Sequence, residues 1–328
     1  GSEMCIRDSI LGDLNKAIEL LANTKKTRSD KRYVSLDVAY GIRARVHLTM
    51  HNYADALKDA EAALASTSSV PYSSAAVSKP TFIDIEDASW MWGILITDKD
   101  RVSTTGICNF PSHMGSLNYG YASVGGWRRI SPKLYNQIPE SDVRKGWFLD
   151  DTGVSVNLPA AAQAYITKKG APVYTQVKYG PMNDEWGSNN NATDVILMRV
   201  EEMYLIKAEA QAMNNDVSGG VNTLNSFVNT YRDPSYKCTA TTGEAVQEAV
   251  WHQRRIEFWG EGLAYFDIMR LNKGVNRLGC GFPKTAVFNI AAGDPVQIYS
   301  IPNKEVQYNP LLENNPLVSA PTPIPDEE

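Results

Sequence analysis

Residues 254–270 read RRIEFWGEGLAYFDIMR, in which three arginines and three carboxylates lie among Phe, Trp and Tyr. Glu257 and Glu261 are four residues apart, so on one helix they would lie about 5–6 Å apart, as paired glycosidase carboxylates do. Arg254 precedes Glu257 by three residues, and a nearby guanidinium lowers a carboxylate pKa, whereas a general acid needs a raised one. Glycines on both sides of Glu261 also interrupt the helix. The pattern favours an ion-paired scaffold over an active site.

Helical periodicity is also present in the N-terminal part of the chain, at residues 10–22, 38–50 and 53–65. The last two segments carry small residues at offsets typical of a tetratricopeptide hairpin, in which two antiparallel helices pack closely. These residues are Ala44, Ala56, Ala60 and Ala63. The same offsets recur in a second, imperfect copy at Ala208, Gly220, Leu224 and Phe227. The repeat predicts a mostly α fold built on tetratricopeptide-like helix pairs.

The remaining segments predict one domain over residues 10–328 with an internal division. Residues 10–66 form N-terminal repeat helices, and residues 192–318 form a C-terminal helical scaffold, with helices expected at 192–214 and 241–274. Thr241 or Thr242 would cap the second of these helices and Gly274 would end it. Residues 71–191 are rich in Pro, Gly, Ser, Asn, Tyr and Trp, which predicts a loop-rich ligand-binding insertion. Residues 1–9 are interpreted as an expression scar or junction without a helix pattern, and residues 319–328 as a tail.

The candidate ligand site lies in the loop-rich region, where aromatic and polar residues are interleaved. Flat rings bind sugars by stacking on their C–H faces, while amides and guanidinium groups bond the hydroxyls. Trp127, Tyr119 and Tyr121 are predicted to stack on the ligand. Asn118, Asn109 and Arg128 are predicted to bond its hydroxyls, with His113 beside them.

Several other functions are disfavoured. A net charge of -5 gives no basic stripe for nucleic acid, and no run of about 18 apolar residues could span a membrane. No GxGxxG, P-loop, GxSxG or HExxH motif is present, so the chain carries no enzyme signature of those kinds.

The four cysteines are scattered without CxxC spacing, which disfavours zinc but leaves their pairing open. No cofactor is expected. Residues 183–194 are rich in oxygen ligands but lack calcium-loop spacing, so an exposed polar loop is favoured over a calcium site.

Three stretches resemble the SusD/RagB family. The first is RRIEFWGEGLAYFDIMR, in which the matching residues are Arg254, Arg255, Glu257, Glu261, Gly262, Phe266, Asp267 and Arg270. The second is a helix motif with Arg199, Glu202, Tyr204, Leu205, Ala208, Glu209 and Ala210. The third is the closing run with Asn309, Pro310, Asn315 and Pro316, where Asn314 stands at the usual Gln. The resemblance covers residues 10–318.

The resemblance implies a non-catalytic lipoprotein exposed at the surface of the outer membrane. Such proteins capture oligosaccharides and deliver them to a SusC-like TonB-dependent transporter. Capture of peptides, as in RagB-type uptake proteins, is the alternative, and a glycoside hydrolase using Glu257 and Glu261 is the third. The chain is expected to begin inside the family's N-terminal region, so a lipid anchor would belong to the full-length protein only. Ligand aromatics differ between members, so none is carried over by position.

Overall fold

A computed structural model of the chain describes residues 3–24, 26–100, 103, 109–315 and 320–321, and only the backbone of residues 3–5. Over these residues the chain is mostly helical, as predicted. The helices are α1 Glu3–Asn23, α2 Leu36–Thr49, α3 Tyr53–Ser66, α4 Ser74–Val77, α5 Phe110–Met114, α6 Pro132–Tyr135, α7 Ala160–Lys168, α8 Val200–Met213, α9 Val217–Tyr231, α10 Gly243–Glu257, α11 Ala264–Arg270 and α12 Asn303–Tyr308. The short strands are β1 Trp90–Ile94, β2 Val195–Arg199, β3 Val275–Asn276 and β4 Asn289–Ile290. The chain divides into two compact units, Gly1–Ile130 with Leu134–Gly262, and Ser131–Lys133 with Leu263–Glu328.

The first predicted hairpin is formed by α2 and α3, whose bounds lie within two residues of the prediction. The chain reverses at His51, which has a φ of 58°, followed by Asn52 before α3. The four alanines of the repeat pattern are all fully buried: Ala44, Ala56, Ala60 and Ala63. Small side chains are needed there because the two helices contact each other and α8 through this face.

The second hairpin is formed by α8 and α9, again with the patterned residues inside. Ala208, Leu224 and Phe227 are at most 2% exposed. Gly220 lies so close to α8 that a Cβ at this position would approach the Ala208 carbonyl oxygen to 2.6 Å and the Ala212 Cβ to 2.8 Å. The repeat offsets therefore mark real close approaches between helices.

Three predicted helix bounds are wrong. α1 begins at Glu3 rather than at residue 10, because Ile6, Ile10 and Leu14 continue its spacing of four residues and no Pro or Gly lies between Glu3 and Ile10. Residues 195–199 form a strand, since β2 pairs antiparallel with β1 from Trp90↔Arg199 to Ile94↔Val195. The long helix predicted to end at Gly274 stops at Glu257, because Gly260 and Gly262 adopt φ angles of 80° and 83°.

The N-cap predicted for that helix is confirmed. The side-chain oxygen of Thr242 accepts a hydrogen bond from the Ala245 amide at 3.2 Å. The cap satisfies one of the free amides of the first turn of α10.

The loop-rich region has an aromatic core. Trp90 and Trp147 are at most 1% exposed, and Phe82 packs edge-on against Trp147 with ring centroids 5.2 Å apart. The Trp90 indole donates to the Tyr72 hydroxyl at 2.7 Å, so its polar atom is satisfied inside. Much of the aromatic content therefore stabilises the insertion, and only a part of it faces solvent.

The second unit contains α11, α12 and the antiparallel pair of β3 and β4. Within α11, Arg270 donates to Asp267 at 2.8 Å, an ion pair three residues apart. Phe266 lies on the other side of this short helix and is 60% exposed, in contrast to the core position that its aromatic ring suggests. Of the predicted tail at 319–328, the structure describes only residues 320–321, and Pro316 also lies outside the described residues.

We expect Gly220→Ala to lower the free energy of unfolding by about 1–3 kcal/mol, because the added methyl group overpacks the contact with α8. Gly12→Ala in α1 is the matched control, since a Cβ there meets nothing within 4 Å. That change should raise the helix stability by about 0.5–1 kcal/mol. Urea denaturation followed by circular dichroism measures both, and equal stabilisation by the two changes would contradict the close packing of α8 and α9.

Candidate functional site

Tyr121 lies at the centre of a small exposed cluster that contains the His113 ring and the Arg128 guanidinium. Its ring, 44% exposed, stacks on the His113 ring with centroids 4.8 Å apart and planes at 25°. The Arg128 guanidinium carbon lies 5.7 Å from the centre of the Tyr121 ring. Arg128 Nε donates to the His113 carbonyl oxygen at 3.0 Å, which holds the cation beside both rings. The backbone of Gly126 lies against the edge of Tyr121, where a Cβ would come within 2.6 Å of the ring.

Tyr119, two residues before Tyr121, forms a second cation–π pair, with Lys169. Its ring is 48% exposed, and Lys169 Nζ lies 5.7 Å from its centre and also 5.7 Å from the Tyr165 ring. The amide of Tyr119 donates to the Ser188 carbonyl oxygen at 2.7 Å, which fixes its backbone. Since two residues span about 7 Å at most, the backbones of Tyr119 and Tyr121 lie close together, and both rings are nearly half exposed. We call these two rings, with Arg128 and Lys169, the tyrosine platform.

The other predicted residues hold the loops. Asn109 caps α5, accepting a hydrogen bond from the Ser112 amide at 2.8 Å, and α5 carries His113. Asn118 is 3% exposed, and its Nδ2 donates to Asn191 Oδ1. Trp127 is half-buried against the small apolar cluster around Leu117, Leu149 and Ile166.

The structure thus brings Tyr119, Tyr121, His113 and Arg128 together at the surface, and it places Asn109, Asn118 and Trp127 beneath or beside them. Lys169 and Tyr165 were missed by the sequence prediction. Their spacing of four residues at the end of α7 is the signal that could have indicated them.

A separate cleft of about 760 Å³ opens elsewhere in the loop-rich region. Its walls include Tyr135, Tyr174, Asp150 and Asp151, and none of the seven residues predicted from the sequence. These wall residues come from several distant segments that share no sequence pattern, so the cleft could not be predicted from local spacing.

The side chains of Glu257 and Glu261 are buried, being at most 5% exposed. Glu257 is fully buried and accepts from Arg232 at 2.8 Å and from Arg199 at 3.1 Å. Burial alone would raise the pKa of Glu257, but Arg232, with Arg199 and Arg144, outweighs it and holds that pKa well below its usual range. This group is therefore ionised and ion-paired, and it has no solvent access through which a substrate could reach it.

Glu261, in the turn between α10 and α11, is held in the same way by residues that are distant in sequence. Its carboxylate accepts from Lys178 at 2.6 Å and from Arg199 at 2.9 and 3.0 Å. Burial opposes ionisation, yet Arg199 and Lys178 lower the pKa of Glu261. The predicted local partner of Glu257, Arg254, instead approaches Glu202 on α8 at 3.9 Å.

The described residues contain no group of three or more His, Cys, Asp or Glu that could hold a metal ion. In the oxygen-rich segment 183–194, the Asp194 carboxylate accepts from the Ile85 and Ile96 amides, each at 2.8 Å. Cys238 and Cys280 are free, and the side chains of Cys5 and Cys108 lie outside the described residues. None of the described helices is both long enough and apolar enough to cross a bilayer.

Comparison with known proteins identifies related chains. A model of the SusD family matches residues 144–317. A SusD-like carbohydrate binding protein from Bacteroides vulgatus ATCC 8482 is 25% identical, with a TM-score of 0.64 over 82% of this chain and 51% of that one. A search of the curated proteins found no significant match.

Two further solved structures share the fold. A SusD superfamily protein from Bacteroides thetaiotaomicron VPI-5482 is 22% identical, with a TM-score of 0.74 over 95% of this chain and 66% of that one. Another from Bacteroides vulgatus ATCC 8482 is 20% identical, with a TM-score of 0.69 over 94% of this chain and 64% of that one. The present chain therefore spans between about half and two thirds of the length of these structures.

We expect Glu257→Gln to lower the free energy of unfolding at pH 7 by about 3–5 kcal/mol, because it leaves buried guanidinium groups without their counter-charge. Glu19→Gln is the control, since Glu19 is 59% exposed beside Lys16 and its loss should cost less than about 0.5 kcal/mol. Denaturant titrations of both variants and the unchanged protein measure the difference.

The difference in the free energy of unfolding between the unchanged protein and Glu257→Gln should depend on pH. Because the pKa of Glu257 is lower in the folded chain, its charge stabilises the fold fully above the unfolded value of about 4.3. That contribution falls as the pH drops below this value toward the folded pKa. The stability difference between the unchanged protein and Glu257→Gln should therefore shrink in acid, and a constant difference from pH 7 to pH 3 would contradict the assignment.

Proposed function

The chain belongs to the SusD family, and on this premise we propose that it is a non-catalytic protein that captures oligosaccharides at the surface of the outer membrane. In this proposal the captured glycan passes to a SusC-like TonB-dependent transporter, and the full-length protein is held at the membrane by a lipid anchor. The carbohydrate-binding protein of similar fold supports the ligand class.

The tyrosine platform is the observation that carries the proposal. Two rings that are nearly half exposed lie two residues apart, and each has a cation beside it that can donate to hydroxyl groups. Exposed rings with convergent donors match the alternating C–H faces and hydroxyls of a sugar chain. Asn109, Asn118 and Trp127 support the platform in this proposal. Asn109 caps α5, Asn118 donates to Asn191, and Trp127 packs against the apolar cluster around Leu117.

The glutamate pair supports binding without catalysis. Both carboxylates are buried among cations, and their pKa values are lowered, which is the opposite of what a glycosidase acid requires. Membership of the SusD family supports the proposal that the captured ligand is delivered to a transporter.

We expect Tyr119→Ala and Tyr121→Ala each to weaken the binding of a glycan ligand about tenfold, or about 1.4 kcal/mol. A glycan array identifies the ligand and calorimetry measures the affinity. Tyr33→Ala is the matched control, because Tyr33 is 56% exposed and has an arginine, Arg32, at the same 5.7 Å from its ring. This control should bind like the unchanged protein.

Three results would contradict the proposal in different ways. Unchanged affinity in both platform variants would place the glycan elsewhere. Binding of peptides alone would favour the peptide-capture alternative. Release of shorter sugars during incubation, detected by chromatography, would show an enzyme.

A further inference from the structure

The cleft beside Tyr135 has the dimensions of a small-molecule site. Its volume of about 760 Å³ falls within the range of about 300–1,000 Å³ that is usual for ligand pockets. It lies wholly in the first unit and shares no lining residue with the tyrosine platform. The cleft therefore has to be explained separately.

Two tyrosines form one wall and offer unused hydroxyls. Tyr135 is 8% exposed and its ring lies 5.2 Å from the Tyr174 ring, at 58°. Neither hydroxyl has a hydrogen-bond partner among the described residues, so both can bond a ligand in the cleft. Burial, with the nearby carboxylates of Asp150 and Glu140, raises the pKa of Tyr135 to about 12, so its hydroxyl remains a donor.

The backbone of this wall is also strained. Tyr174 has a φ of 64°, a conformation that is rare for a bulky residue. Its amide donates to the Leu149 carbonyl oxygen, and its carbonyl oxygen accepts from the Ile130 amide, both at 3.0 Å. These bonds hold the ring in a position that local preference would not choose, and such strain is concentrated at ligand sites.

Acidic side chains at the mouth of the cleft indicate that its ligand carries a positive charge. Asp150 Oδ1 accepts from the Thr152 amide, the Thr152 hydroxyl and the Val154 amide at 2.7–2.9 Å. Both oxygens of Asp151, which is exposed, accept no hydrogen bond from the described residues. Glu140 is ion-paired with Lys145, so these two cancel, and Asp150 and Asp151 leave the mouth of the cleft with two negative charges.

We propose that this cleft binds a saccharide that carries a primary ammonium group. The ammonium meets the carboxylates of Asp151 and Asp150, and the ring hydroxyls meet the unpartnered hydroxyls of Tyr135 and Tyr174. The aromatic wall favours a saccharide, because a tyrosine face attracts a sugar C–H face. Lys145 Nζ already lies 5.1 Å from the centre of the Tyr135 ring, so the ammonium of the ligand is assigned to the carboxylates. A neutral sugar would leave the carboxylates unpaired, and a basic peptide would leave the tyrosine hydroxyls with fewer partners. This site is additional to the tyrosine platform and does not depend on it.

The experiment compares two matched probes by calorimetry at pH 6, where the amine is protonated. The probes are a β-1,4-linked glucosamine tetramer and the N-acetylglucosamine tetramer of the same length. We expect the glucosamine tetramer to bind at least tenfold more tightly, and we expect its affinity to fall between 50 and 500 mM salt because the contact is ionic.

Two variants test the assigned atoms. Asp151→Asn removes an unpaired charge and should weaken glucosamine binding about tenfold, whereas Asp13→Asn on exposed α1 should not change it. Tyr135→Phe removes a hydroxyl that bonds nothing in the protein, so it should leave the melting temperature unchanged and weaken binding about threefold to tenfold. This variant separates a ligand contact from a structural role.

The inference is overturned if the glucosamine tetramer does not bind, if the acetylated tetramer binds equally well, or if Asp151→Asn and Tyr135→Phe have no effect. Binding of a lysine-containing peptide in its place also overturns it. Tyr121→Ala distinguishes this failure from failure of the proposed function: if only that variant loses glucosamine binding, the amino sugar lies on the platform, so the proposed function stands and the cleft assignment falls.

Discussion

The charge of Glu257 is the constraint on which the arrangement of the first unit depends. Its carboxylate, fully buried, lies within 2.8–3.3 Å of guanidinium nitrogens from Arg232, Arg199 and Arg144. These arginines come from the end of α9, the end of β2 and the loop-rich region. A buried ion costs several kcal/mol unless it is well paired, so no one of these segments can be removed without leaving charge unpaired. The helical scaffold and the insertion are therefore locked together at one carboxylate.

A second ion pair, between Lys178 and Glu261, extends this network toward the proposed tyrosine platform. Lys178, fully buried, donates to Glu261 at 2.6 Å and to the Glu257 and Trp259 carbonyl oxygens at 3.0 and 3.1 Å. Burial lowers the pKa of Lys178 to about 8, while Glu261 opposes this and keeps the group charged at neutral pH. Two residues earlier, the Gln176 side chain donates to the carbonyl oxygen of Met114, the last residue of α5. Since α5 carries His113, the ion network reaches the tyrosine platform through a short series of direct hydrogen bonds.

The parts of this structure that sequence reasoning predicted are those with local causes. The hairpin of α2 and α3 follows from periodicity and small residues within one segment of chain, and its bounds were predicted to within two residues. β2 was missed because its apolar residues also suit a helix, and only pairing with β1, about a hundred residues away, decides otherwise. The partners of Glu257 were missed for the same reason, because helical spacing indicates Arg254 whereas the observed arginines are distant in sequence. The ring cluster at Tyr119 and Tyr121 was indicated because its members are close in sequence, while the cleft was not.

These differences explain why the stretch at residues 254–270 identifies the fold and yet supplies no residue to the tyrosine platform or to the walls of the cleft. Replacing Glu257 would expose three cations to an apolar interior, so this position tolerates little change if the chain is to fold. Tyr119 and Tyr121 are nearly half exposed, and their loss costs the fold little. Ligand preference can therefore change at the platform while the ion network stays the same. In the proposed function a single scaffold can then carry different specificities, because Glu257 and the arginines that pair with it are not part of the tyrosine platform.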